Sequence, residues 1–80
     1  MRTKEAVAKR ILALCEDRGI AVNALANLSG VSPSTIYSML NEKSQYPGVV
    51  SLKKICDGLD ISIRDFFDSD LFDHLEQEIQ

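Results

Sequence analysis

Four adjacent residues, Gly30, Val31, Ser32 and Pro33, constrain this chain more than any others. Glycine readily takes the left-handed backbone that ends a helix. Serine followed by proline marks a helix start: the hydroxyl caps orphan N–H groups, and proline brings a preset φ with no donor to lose. A stop and a start this close put two short helices on either side of a tight turn, within residues 22 to 41. The first spans about Val22 to Ser29, with Leu25 and Leu28 expected to face inward together with Ala21 or Ala24. Ala26 is small and permits close approach of another helix. The second runs to about Leu40 or Asn41, with Val31, Ile36, Met39 and Leu40 directed at the core. Pro33, Ser34, Tyr37, Ser38 and Asn41 are left on the opposite side.

The flanking sequence is also helical in pattern. Thr3 to Arg18 has Thr3 as a possible cap, a stripe of Val7, Ile11, Leu14, Cys15 and Arg18 with Leu12 at its edge, and Gly19 as a stop. Residues 41 to 48 are a polar loop, in which Pro47 pushes Tyr46 towards extended backbone. A fourth helix is expected over about Val50 to Leu59, with Val49, Leu52, Ile55, Cys56 and Leu59 apolar and Gly58 a weak spot near its end. Ser62 and Asp65 resemble a capping box opening a short helix from Ile63 to Phe67 or Asp68. Ser69 or Asp70 is expected to cap a last helix with a stripe of Leu71, Phe72, Leu75 and Ile79. No strand pattern, repeat or low-complexity segment appears, and the expected fold class is all-α.

Eighty residues make one domain with a modest core. A separate ligand domain is not expected within that length. No apolar run is long enough to span a bilayer, and the charged, amphipathic N-terminus is unlike a secretory signal. Cys15 and Cys56 lie among apolar neighbours, which points to buried, reduced thiols in a cytoplasmic protein. The net charge is −3, but it is unevenly spread. Residues 1–56 hold eight Lys/Arg against four Asp/Glu, whereas residues 57–80 hold one Arg against eight Asp/Glu. An acidic average thus conceals a basic first two-thirds, and local field, not net charge, steers a polyanion. As a group, Lys9, Arg10, Lys43, Lys53 and Lys54 suffice for about 4 to 6 phosphates, with a steep salt dependence. Taken singly, each is an ordinary solvated charge.

The run comprising Leu25, Ala26, Ser29, Gly30, Val31, Ser32, Ser34, Thr35, Ile36 and Met39 resembles the helix-turn-helix of the lambda-repressor/Cro (Xre-like) regulators of bacteria and phages. The stretch from Ser51 to Phe67 is similar to that family's fourth and fifth helices. The resemblance covers about residues 6 to 68. It implies a five-helix DNA-binding domain over residues 1–68, usually dimeric on a two-fold operator, with the helix after Gly30 in the major groove. Carried over by position, Pro33, Ser34, Thr35, Tyr37 and Ser38 would lie at or near bases. Ser32, Asn41 and Lys43 would lie near phosphate, with Ser44, Gln45 and Tyr46 extending that contact. The chain also departs from the pattern. Many members open the second helix with Thr-Gln, where this chain has Ala21 and Val22. Its third helix has no Arg, Gln or Asn before Asn41, so the strong bidentate base readers are missing. Readout would rest on hydroxyls, thymine methyl contacts and DNA shape.

The resulting expectation is a sequence-specific transcriptional regulator, repressor-like, of a bacterium, phage or mobile element. Its partners would be double-stranded DNA and a second copy of itself, with no cofactor, metal, membrane or small-molecule ligand. The acidic segment 69–80 is expected to form a helix whose Leu71, Phe72, Leu75 and Ile79 either fold back near helices 1 and 5 or, preferably, meet a second copy. Its acids, and His74, are read as solvated surface. The alternative is a protein-interaction module or antitoxin-like partner that engages another protein through that segment. An enzyme is not expected, because no nucleophile–base pair, metal-ligand spacing or phosphate-cradling glycine loop is present.

Overall fold

The computed structural model describes residues 1–41 and 48–79. Among these, five α-helices and one 3₁₀ turn appear in chain order, and no strand. They are α1 (Thr3–Arg18), α2 (Val22–Ser29), α3 (Pro33–Leu40), α4 (Val49–Gly58), α5 (Ile63–Phe67) and the turn Asp70–Phe72. The all-α reading holds, and the five helix boundaries lie within a residue or two of those expected.

Local chemistry explains the joints. Gly19 (φ 65°) and Gly30 (φ 67°) are both left-handed. The next N–H in each case reaches back five residues, Ile20 to Cys15 and Val31 to Ala26, at 3.0 and 3.3 Å. This closes two Schellman-type ends in which the following apolar residue turns inward. At the end of α4 the same backbone is taken by Asp60 (φ 57°), one of the few side chains that tolerates it. Ser62 and Asp65 form the expected capping box at α5.

The core gathers Val7, Ile11, Leu14, Cys15, Leu25, Ala26, Ile36, Met39, Leu52, Ile55, Cys56, Leu59 and Phe66. Helix α2 packs on α4 and α3, and α3 packs on α1. The expectation that Leu28 faces inward fails. Leu28 is 58% exposed, and Ser29 is buried in its place. The inward stripe of α2 is the half-buried Val22 with the buried Leu25, Ala26 and Ser29, at the i, i+3, i+4, i+7 spacing of a helix face, so geometry overrides the apolar character of Leu28. Val49 opens α4 and is 74% exposed. Gly58, expected only to weaken α4, is where α4 lies against the backbone of Leu28 and Ser29.

The C-terminal segment differs most. The expected last helix is a single 3₁₀ turn capped by Ser69, and residues 73–79 continue without helix. Phe72 packs on the core, its ring centroid 6.1 Å from Phe66 and 4.8 Å from Phe67. The segment then runs along the start of α1. Glu76 N–H donates to the Met1 carbonyl at 3.1 Å. Glu78 accepts from Arg2 Nη1 at 3.0 Å and from Thr3 N–H at 3.2 Å. Thr3 therefore does not cap α1; Arg2 occupies the cap position without a side-chain bond, and a carboxylate 75 residues away supplies the acceptor. Of the stripe Leu71, Phe72, Leu75 and Ile79, the first three are half-buried and Ile79 is exposed. The stripe is thus not a continuous helical face offered to a second copy.

Candidate nucleic-acid interface

Helix α3 is anchored from beneath. Ile36 and Met39 are buried, and Leu40 and Val31 pack against the same core. Its start is held by Ser32, whose Oγ accepts from Thr35 N–H at 3.2 Å. The same oxygen lies 3.1 Å from Ser34 Oγ and 2.9 Å from Thr35 Oγ1, making a three-hydroxyl cluster at the N-terminus. At the other end Asn41 leaves the helix in extended backbone, and Lys4 Nζ donates to its carbonyl.

With that face buried, Pro33, Ser34, Tyr37, Ser38 and Asn41 are exposed together, Ser32 beside them, and Thr35 is half-buried. Tyr37 is 51% exposed, and its hydroxyl donates to Asn23 Oδ1 at 3.4 Å. Asn23, in the first turn of α2, joins the surface although its sequence position gave no sign of it. Only the crossing of α2 and α3 brings it to Tyr37. Lys43, Ser44, Gln45 and Tyr46 lie outside the described residues.

Of the basic group, Arg10 is taken up by the fold itself, while the lysines described remain on the surface. Arg10 Nε and Nη2 donate to the carbonyls of Phe66 and Asp65 at 2.7 and 2.9 Å, so Arg10 closes the end of α5. Lys9 pairs with Glu5 at 3.8 Å, and Lys53 pairs with Asp57 on the same helix. Lys54 is exposed, and Lys43 lies outside the described residues. Long side chains find the nearest carboxylate or helix C-terminus, a choice that linear charge counts do not register.

No other chemistry gathers among the described residues. Cys15 and Cys56 are free and buried, and burial pushes both thiols up from their ordinary values, away from the thiolate that reactivity needs. Among the described residues no group of three or more His, Cys, Asp or Glu side chains is placed to hold a metal ion. Among the described residues no helix is long and apolar enough to cross a membrane.

A buried-faced short helix, presented after a tight glycine turn and carried on four supporting helices, defines a helix-turn-helix DNA-binding domain. The family model described as a Cro/C1-type HTH DNA-binding domain matches residues 10–70, and the chain belongs to that family. It is similar to the crystal structure of the prophage Lp1 protein 11, with a TM-score of 0.82 and 30% sequence identity over 94% of this chain and 100% of that one. No curated protein matches the chain. The chain is a DNA-binding helix-turn-helix regulator of the Cro/Xre kind.

Proposed function

We propose that this regulator is a cytoplasmic repressor that binds a two-fold operator as a dimer, placing α3 of each copy in successive major grooves about 34 Å apart. The observation that carries the reading is the outward face of α3, where Pro33, Ser34, Tyr37 and Ser38 are exposed while Ile36 and Met39 hold the helix to the core. Pro33, Ser34, Thr35, Tyr37 and Ser38 meet base edges. Ser32, Asn41 and Lys43 meet phosphate, with Ser44, Gln45 and Tyr46 beside them. Repression is by occupancy of a promoter. The dimer contact draws on Ile79 and the outer sides of Leu71 and Leu75.

The rival reading, an interaction module working through its acidic segment, is disfavoured by where that segment goes. Glu76 and Glu78 are bound to Met1, Arg2 and Thr3 of the same chain.

Selection from a random-sequence duplex pool at low and moderate salt tests the proposal. The expected outcome is a two-fold enriched site whose retardation weakens steeply with salt. No enriched site and no salt-sensitive retardation overturns it. Sedimentation of the free protein and of Ile79→Asp tests the dimer, which the substitution is expected to weaken.

A further inference from the structure

Tyr37 is the largest side chain on the outward face of α3, and its hydroxyl proton points back towards α2, donated to Asn23 Oδ1 at 3.4 Å. A phenol has one proton to give, and its oxygen also accepts. While the proton is directed at Asn23, what Tyr37 offers outward is lone-pair density. In the major groove the donors are the amino groups adenine N6 and cytosine N4, whereas guanine presents the acceptors N7 and O6. We propose that Asn23 is a positioning residue that makes Tyr37 an acceptor-type reader, directed at the exocyclic amino group of adenine or cytosine and not at guanine. This rests on the proposal that α3 faces the bases.

The cluster at the start of α3 has the same polarity. Ser32, Ser34 and Thr35 carry three hydroxyl protons, and the two oxygen–oxygen links at 3.1 and 2.9 Å consume two of them. One proton is left, while the oxygens of Ser34 and Thr35 keep acceptor capacity. Residues 33–40 contain no Arg, Lys, Gln or Asn, so the helix holds no bidentate donor for guanine.

The experiment uses the selected site with single base replacements: purine for adenine or 2-pyrimidinone for cytosine, each lacking the amino group, and 7-deazaguanine for guanine, lacking N7. At one position per half-site the wild type is expected to lose about 2- to 10-fold on removal of the amino group, the size of one net neutral hydrogen bond. Tyr37→Phe is expected to lose the same factor on the unmodified site and nothing further on the modified one. Asn23→Ala, with an unchanged melting temperature, is expected to discriminate less at that position alone. Full-strength binding by Tyr37→Phe overturns the proposal. So does a Tyr37-dependent guanine sensitive to 7-deaza replacement, and so does unchanged discrimination by Asn23→Ala. An enriched site read through guanine overturns this inference alone, whereas the absence of any enriched site overturns the proposed function with it.

Discussion

Gly58 of α4 lies so close to Ser29 of α2 that a Cβ placed on it would stand 2.6 Å from Ser29 Oγ, and 2.9 Å from both Ser29 N and the Leu28 carbonyl carbon. The last two are backbone atoms, so the contact is one of main chain against main chain, and α2 is the helix that leads into the turn before α3. Ser29 Oγ is buried without a hydrogen-bond partner among the described residues.

Gly58→Ala should therefore reverse the usual sign. In an open helix interior, alanine gains about 1 kcal/mol over glycine. Here the overpacking is expected to cost about 1–3 kcal/mol, read as a lower urea midpoint at unchanged slope. Ser29→Ala removes the orphan hydroxyl and should stabilise by about 1 kcal/mol. Combined with Gly58→Ala it should recover only part of the loss, because the backbone contacts remain.

Arg10 provides a second test of what holds the fold. Its fork spans two carbonyls at the end of α5, a geometry that a single ammonium does not reproduce. Arg10→Lys keeps the charge and is expected to lower stability by about 1–2 kcal/mol, again by urea unfolding. Were Arg10 a phosphate contact only, lysine would leave stability unchanged.

Glu78 predicts an acid-side effect. The Thr3 N–H bond, first, and then the Arg2 guanidinium hold its carboxyl below the ordinary glutamate range. Because the folded value is the lower one, its contribution is present above the unfolded glutamate pKa and is lost as pH falls through the folded value. Glu78→Gln should show a shallower loss of stability over that acid window than the wild type, and the same trend near neutrality. Melting temperatures followed across the acid range measure it.

Ser34→Glu and Tyr37→Glu each place a carboxylate on the outward face of α3. Both positions are exposed, so circular dichroism and melting temperature should stay near wild type while DNA retardation is abolished. Retention of binding by either variant removes α3 from the role of reader.

Much of the fold was legible because its signals are local. Gly19, Gly30, Ser32, Pro33, Ser62 and Asp65 act on the backbone within a few residues of themselves, and each joint formed where its chemistry dictates. The outward face of α3 was legible for the same reason, since it is what remains once Ile36, Met39 and Leu40 are turned inward. Leu28, by contrast, was misplaced because apolar character was weighed above helical spacing. The last segment was misread because a stripe of Leu71, Phe72, Leu75 and Ile79 satisfies a helix pattern whether or not a helix forms. A short isolated helix is marginal in water. Here Phe72 on Phe66 and Phe67, and Glu78 on Arg2 and Thr3, hold the chain in another shape.

By itself the sequence determined the turns, the caps and the periodic faces, because those depend on neighbours along the chain. The tertiary structure decided which charges were already committed and which were not. It closed α5 with Arg10, capped α1 with Glu78, brought Gly58 against Ser29 and turned the Tyr37 proton towards Asn23. Each of these joins groups at least 14 residues apart, and a hydrogen bond or a close contact forms only where folding has brought its two partners within a few ångströms.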